Sequence, residues 1–118
     1  FIIVDAAMND LIRPTLYEAH HDVKPLHAAG ADEGLADIVG PVCETGDYLA
    51  RERMMPALAS GDALAVMSAG AYGAVMASTY NTRPHAGEVM VIDGACHLLR
   101  RRRTVEELLA EEAVPDFD

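Results

Sequence analysis

The chain has 118 residues and a formal net charge of −10, with 19 acidic side chains against nine basic ones. That length fits one domain with one modest core. The acidic balance argues against a nucleic-acid or anionic-membrane partner, because phosphate binding depends on clustered positive charge. No apolar run approaches the length of a membrane span. The chain's two cysteines are too few for a disulfide framework, so we expect reduced thiols and a cytoplasmic setting.

The first half of the chain predicts short strands separated by loops. Residues 1–4 ("FIIV") predict a buried strand from their β-branched content, and the start inside this run without a methionine suggests a part of a longer polypeptide. Pro14 limits the next helix to a short piece. Residues 20–25 are expected to be extended. Residues 27–36, rich in Gly, Ala and acids, predict an exposed loop that leads into a strand over 35–39.

The second half continues this pattern. Residues 48–58 are amphipathic and fit either a helix or a strand, and residues 63–67 predict a strand that ends in a glycine-flanked corner around Tyr72. The clearest hairpin is "EVMVIDGACHLLRRR", whose arms meet at Asp93-Gly94, a pair that favours a type I′ turn. Short strands, frequent turns and little helix together indicate one mainly β domain over residues 1–118, a barrel or a sandwich.

The C-terminal segment is strongly charged. Thr104 and Glu107 have capping-box spacing at the start of a short helix. The basic run Arg100–Arg103 is expected to cover an edge strand with charge and to pair with acids. Four glutamates of this region predict a solvated helix face. They are Glu106, Glu107, Glu111 and Glu112.

One cysteine lies in a turn-like segment, "GPVCETGD", beside a glutamate. A loop thiol can donate a proton or act as a nucleophile, and the carboxylate of Glu44 favours the neutral, donating form of Cys43. The alternative is a semi-buried cysteine at a strand end, which is the more common outcome because free cysteines are often buried.

Two further groups of residues are candidates for ligand binding. Arg13 and Tyr17 are four residues apart, so a helical turn places them on one face, where the arginine suits a carboxylate. The alternative is a surface arginine that packs along a tyrosine ring. In "SAGAYG", Gly70 and Gly73 leave Tyr72 clear for a ligand. A structural turn explains those glycines equally well.

Three histidines and a cysteine raise the question of a metal site. Their spacing matches no compact ligand pattern, and adjacent histidines point apart on a strand. We therefore expect no metal ion to be bound by this set, which consists of His20, His21, His27 and Cys43.

Four segments in the same order resemble the C-terminal portion of the diaminopimelate decarboxylase family. They are "VDAAMNDLIRPTLYEAHH", "GPVCETGD", "GDALAVMSAGAYGAVMASTYNTRP" and "EVMVIDG". Four ordered motifs form a specific signal. The departures are small: Thr45 replaces a frequent serine, Ala7 a frequent glycine, and His20 a position that is often aromatic.

The resemblance implies a pyridoxal-phosphate enzyme of the alanine-racemase-like fold type. In that family a (β/α)₈ barrel carries the lysine that binds the cofactor, and a β domain follows it. This chain looks like the β domain without the barrel. Its one lysine, Lys24, lies outside the four motifs, so we expect the chain to be inactive without a barrel. The resemblance also implies a homodimer with shared active sites.

The resemblance implies roles for five residues in the conversion of meso-diaminopimelate to L-lysine and CO₂. Arg13, Tyr17 and Glu44 bind the substrate, Cys43 donates a proton, and Tyr72 contacts both cofactor and substrate. Glu44 suits the distal ammonium group of diaminopimelate, and Arg13 suits its distal carboxylate.

Two alternatives remain open. Ornithine and arginine decarboxylases share the fold, but their substrates lack a distal carboxylate, so an arginine in the pocket would repel them. A dimerisation or inhibitor module without catalytic activity would be expected to lose Cys43, Glu44 and Tyr72, yet all three are present.

Overall fold

Short strands make up most of the regular structure in residues 1–27, 30 and 32–117, the part of the chain that the computed structural model describes. The expectation of a mainly β fold with short helices is confirmed. No helix in this part of the chain is long and apolar enough to span a membrane. The contacts divide the chain into two units, Phe1–Ala77 and Ser78–Asp118.

The first unit contains five strands and two short helices among its described residues. A sheet of three strands has the order β1-β3-β4, with β1 parallel and β4 antiparallel to β3, and β2 pairs with β5 in a separate antiparallel ribbon. The elements are β1 Ile2–Ile3, α1 Arg13–Tyr17, β2 Val23–Pro25, β3 Glu33–Val39, β4 Tyr48–Pro56, β5 Leu64–Val66 and α2 Gly70–Met76.

The core of the first unit is formed by residues of β3 and β4 together with Leu11 from the segment before α1. Ile38 of β3 is fully buried, and Leu49 and Ala50 of β4 are 2% and 3% exposed. The prediction of a buried first strand is only partly right. Strand β1 is two residues long, and Ile2 packs against the core. Ile3, however, is 73% exposed and Phe1 is 90% exposed. Successive residues of a strand point to opposite faces, so in β1 the side chain of Ile2 reaches the core while that of Ile3 faces away from it.

The amphipathic segment of residues 48–58, which fitted either a helix or a strand, forms strand β4. The prediction of an exposed loop over residues 27–36 is wrong from Glu33 onwards, because β3 already begins there. Pairing with Met55 and Pro56 of β4 holds this glycine- and acid-rich start in the sheet. A bulge interrupts the pairing where Glu52 adopts a φ of 50°, and its N–H donates to the Asp37 carboxylate at 2.7 Å. Long-range pairing therefore overrides a local composition that is typical of loops.

The glycine-flanked corner around Tyr72 is instead the helix α2. Gly73 is buried in it, and a Cβ at this position would lie 3.4 Å from Leu11 Cδ1 and 3.8 Å from the Asp10 carbonyl oxygen. The glycine thus serves close packing of α2 against the segment before α1. Helix α1 is short, as expected, with Pro14 in its first turn, where the missing N–H costs little.

The second unit confirms the predictions for the hairpin and the capped helix. Its strands β6 (Glu88–Ile92) and β7 (Ala95–Arg100) are antiparallel, and both residues of the turn have positive φ, 49° at Asp93 and 79° at Gly94. A 3₁₀ turn at Tyr80–Thr82 precedes them, and α3 (Val105–Leu109) follows with a complete capping box at Thr104 and Glu107.

The arginine run of the second unit pairs with acids, as predicted. Arg100 lies 3.4 Å from a carboxylate oxygen of Glu88 on the opposite strand, and Arg103 lies 2.8 Å from that of Glu111. Arg101 binds Glu107 through both terminal nitrogens. The acidic face of α3 is therefore partly neutralised by the basic run.

Candidate active site

Arg13, Tyr17 and Tyr72 form one cluster where α1 meets α2, called the Arg13 cluster below. Arg13 Nε donates a hydrogen bond to the Tyr17 hydroxyl at 2.7 Å, and Arg13 Cζ lies 5.6 Å from the Tyr17 ring centroid and 5.1 Å from that of Tyr72. The Tyr17 hydroxyl is also 3.9 Å from Met76 Sδ. Tyr17 is 49% and Tyr72 61% exposed, so the cluster is open to solvent.

The four-residue spacing of Arg13 and Tyr17 explains half of the cluster, because residues i and i+4 are neighbours on a helix surface. The other half depends on α2, which brings Tyr72 beside the guanidinium. Among the described residues no carboxylate pairs with Arg13. Its Nε is hydrogen-bonded to Tyr17, and its guanidinium lies beside the rings of both tyrosines. Its terminal nitrogens could therefore bind an anionic ligand.

Cys43 and Glu44 lie on the loop of residues 40–47, called the Cys43 loop below. Both side chains are exposed, so the semi-buried alternative for Cys43 is wrong. Glu44 Oε1 accepts from the Thr45 hydroxyl at 3.3 Å and from the Gly46 N–H at 3.4 Å. These bonds orient the carboxylate through one oxygen, and its second oxygen has no hydrogen-bond partner among the described residues.

The Cys43 loop is closed by Asp47, a residue that is only 4% exposed. Its carbonyl oxygen accepts from the N–H of Gly40 at 3.0 Å. Its carboxylate accepts from two backbone N–H groups, that of Val42 at 2.6 Å and that of Met8 at 2.7 Å. Asp47 therefore joins the two ends of the loop and also joins the loop to the segment before α1.

Two further hydrogen bonds connect the Cys43 loop and the start of β4 to α1. The hydroxyl of Thr15 donates to the carbonyl oxygen of Gly46, and the hydroxyl of Tyr48 donates to that of Pro14 at 3.0 Å. A Cβ at Gly46 would lie 2.7 Å from Thr15 Cγ2, so only glycine fits here without displacement. Backbone and neighbouring side chains thus place the loop beside α1.

The structure brings three of the five predicted site residues into direct contact and places the other two on the adjoining loop. Within the described ranges, neither Cys43 nor Glu44 is bonded to the Arg13 cluster. Sequence reasoning missed Asp47, Thr15 and Tyr48, which hold the loop and the helix together. The Gly-Asp pair at the end of "GPVCETGD" was the available signal, since such residues commonly close turns.

The adjacent histidines point to different partners. His20 Nε2 lies 3.1 Å from both Asp22 Oδ1 and Arg53 Nη1, and its hydrogen bond holds the pKa of Asp22 below the ordinary value of 3.8. His21 is buried and its Nδ1 lies 3.0 Å from the carbonyl oxygen of Met67. In the described part of the chain no three His, Cys, Asp or Glu side chains are grouped to hold a metal ion.

The sheet architecture of residues 1–70 places the chain in one class of proteins. Residues 1–70 match the family described as pyridoxal-dependent decarboxylase, C-terminal sheet domain, and the chain belongs to this family. The relatives carry a more particular name. The chain is 58% identical over 114 residues to diaminopimelate decarboxylase from Pseudomonas aeruginosa and 55% identical over 112 residues to that from Zymomonas mobilis.

These matches cover 97% and 95% of the chain but 27% and 26% of the two relatives, so the chain spans about a quarter of their length. A solved structure of diaminopimelate decarboxylase from Helicobacter pylori, complexed with L-lysine, agrees with a TM-score of 0.87 at 39% identity. It covers 92% of this chain and 27% of that one. The resemblance found in the four sequence motifs is thereby confirmed.

Proposed function

We propose that this chain is the C-terminal part of a longer pyridoxal-phosphate-dependent decarboxylase, the parent enzyme, that converts meso-2,6-diaminopimelate to L-lysine and CO₂. Residues 1–118 are its C-terminal β domain. The observation that carries the proposal is the Arg13 cluster: a guanidinium oriented by two tyrosines and left without a carboxylate partner among the described residues. The identity to diaminopimelate decarboxylases supports the same substrate.

Substrate recognition is assigned to the distal end of diaminopimelate, which carries an ammonium and a carboxylate group. Arg13 binds the carboxylate with its terminal nitrogens. The hydrogen bond from Arg13 Nε to the Tyr17 hydroxyl holds the guanidinium in its orientation. Glu44 binds the ammonium through the oxygen that its own loop leaves free. Ornithine and arginine have cationic distal groups and no distal carboxylate, so the positive charge of Arg13 disfavours them.

Cys43 is proposed as the proton donor. Loss of CO₂ breaks a carbon–carbon bond and leaves its electron pair with the α-carbon, which must then accept a proton from one face. The Cys43 thiol supplies that proton from an exposed position on a loop that is anchored at both ends, and the thiolate regains a proton from solvent.

Pyridoxal phosphate, when bound, supplies the electron sink for the decarboxylation. Tyr72 fits a contact with it, because its ring is 61% exposed and is flanked by a guanidinium. The chain supplies no lysine beside this cluster: its one lysine, Lys24, lies in β2 opposite Ala65. The covalent attachment is therefore assigned to the N-terminal barrel of the parent enzyme.

The partners proposed for this chain are that barrel and a second copy of the parent enzyme, in a homodimer with shared active sites. An exposed Cys43 with no acceptor for its proton in the described part of the chain supports a site completed by another element. The proposed setting is the cytoplasm, where the two exposed free thiols of Cys43 and Cys96 stay reduced.

The test measures CO₂ release by the purified parent enzyme from meso-diaminopimelate, ornithine and arginine. We expect activity on meso-diaminopimelate and little on the other two. Preferential decarboxylation of ornithine or arginine would overturn the proposal. The 118-residue chain by itself is expected to release no CO₂ and to retain no cofactor absorbance after borohydride reduction and dialysis.

A further inference from the structure

We propose that Asp47 is a positioning residue for the reaction: it holds the Cys43 loop against the segment that leads into α1, and so sets the distance between the proton donor and the Arg13 cluster. This inference rests on the proposed function for its catalytic consequence. Its structural part, that the Asp47 carboxylate anchors the loop, is independent of that function.

The geometry that carries the inference is the placement of the two carboxylate oxygens. Oδ1 accepts the N–H of Met8 at 2.7 Å, and Oδ2 accepts the N–H of Val42 at 2.6 Å. Met8 precedes α1 and Val42 directly precedes Cys43, so a single buried carboxylate, 4% exposed, ties one half of the site to the other. Bonds from backbone N–H groups to an ionised acceptor are short and strong.

Gly40 shows how closely the surroundings fit this carboxylate. A Cβ built on Gly40 would overlap both carboxylate oxygens and the carboxyl carbon of Asp47. Glycine at position 40 therefore leaves the space that the Asp47 carboxylate occupies. Placement matters for the chemistry, because a displacement of about 1 Å in a reacting group can cost about a hundredfold in rate.

The substitution Asp47→Asn tests the anchor with almost no change in shape. An amide offers one oxygen and one NH₂ group, so one of the two backbone N–H groups would face a donor and lose its bond. The matched control is Asp62→Asn, because Asp62 Oδ2 also accepts a backbone N–H, that of Ala59 at 2.7 Å, in an exposed turn away from the site.

Two measurements are made on each variant. The first is amide hydrogen exchange at Met8 and Val42 in the 118-residue chain. The second is kcat and KM for meso-diaminopimelate in the parent enzyme, with active sites counted by bound cofactor. For Asp47→Asn we expect exchange faster by about tenfold or more, a raised KM and a lowered kcat, with kcat/KM reduced about ten- to a hundredfold. Asp62→Asn is expected to change none of these.

A merely structural role would reduce the number of active sites but leave KM per site unchanged, and that result would overturn the proposal. Unchanged exchange at Met8 and Val42 would also overturn it, while leaving the proposed function intact. If the wild-type parent enzyme does not act on diaminopimelate, the proposed function fails, and the catalytic part of this inference fails with it. If Asp47→Asn does not fold, Gly40→Ala displaces the same carboxylate from the other side and is judged by the same two measurements.

Discussion

The guanidinium of Arg13 lies against the ring of Tyr72, with Cζ 5.1 Å from the ring centroid. The two residues belong to different helices, so this contact is a product of how α1 and α2 pack. A cation beside an aromatic face is held electrostatically without using all of its N–H donors. Tyr72 therefore restrains Arg13, which has no carboxylate partner in the described part of the chain.

Arg13→Ala in the parent enzyme should raise KM for meso-diaminopimelate sharply. Removing one partner of a charge-assisted contact that becomes desolvated on binding costs on the order of 2–5 kcal/mol. Substrates without the distal carboxylate should become relatively less disfavoured. The matched control is Arg51→Ala, because Arg51 also lies over a tyrosine ring, with Cζ 3.7 Å from the Tyr48 centroid, but outside the Arg13 cluster. A normal KM for Arg13→Ala would contradict the proposed substrate recognition.

Subunit exchange should show which chain uses the Cys43 thiol. One parent variant lacks the barrel lysine, the other carries Cys43→Ala, and each is expected to be nearly inactive. If Cys43 serves the partner's barrel, a mixed dimer contains one site with both defects and one with neither. With half of the dimers mixed, roughly a quarter of the normal activity should return.

The alternative outcome of that exchange is equally definite. If Cys43 serves its own chain, every site in every dimer keeps one defect and no activity returns. The fraction of mixed dimers is verified with two different affinity tags. Activity near zero in verified mixed dimers would exclude the shared site.

Gly46→Ala should destabilise the 118-residue chain, because the new Cβ would lie 2.7 Å from the branched side chain of Thr15. Overpacking of this kind costs about 1–3 kcal/mol. Gly34→Ala is the control: its Cβ would have no atom within 4 Å, and a loss of unfolded-state freedom should stabilise the chain by about 0.4–1 kcal/mol. The measurement is the urea midpoint, and equal shifts in the two variants would refute the steric explanation.

Acid should weaken the cap of α3 through Glu107. The hydrogen bond from Arg101 and the backbone N–H of Thr104 lower the pKa of Glu107 from 4.5 to about 2. A carboxyl group whose pKa is lower in the folded state stabilises that state fully above its unfolded pKa. Its contribution is then lost as the pH falls from 4.5 towards 2. Chemical shifts of residues 105–109 should follow this loss.

The controls for this acid transition are two substitutions in the same helix region. Glu107→Gln should weaken the helix at neutral pH and reduce its pH dependence in this range, whereas Glu112→Gln should leave both unchanged. Some dependence should remain, because the backbone hydrogen bond of Glu106 and its hydrogen bond with Thr104 also lower the pKa of Glu106. High salt should reduce the difference between the wild type and Glu107→Gln, since the ion pair is exposed. An acid transition of undiminished size in Glu107→Gln would assign it to another group.

Local sequence signals predicted the second unit well. Asp93-Gly94 specified the hairpin turn, because both residues adopt the positive φ that the turn requires. Thr104 and Glu107 specified the start of α3, because each satisfies a backbone N–H of the other. The same kind of signal, a spacing of four residues, predicted the contact of Arg13 with Tyr17.

The sequence by itself therefore determined the mainly β character, the family, the hairpin, the capped helix and the identity of the candidate site residues. Only the tertiary structure decided that Tyr72 lies on a helix against Arg13, and that a buried Asp47 joins Met8 to the Cys43 loop. The physical reason is the range of the interactions. Turns and caps satisfy backbone groups within a few residues, whereas a carboxylate can be buried only if distant backbone N–H groups converge on it.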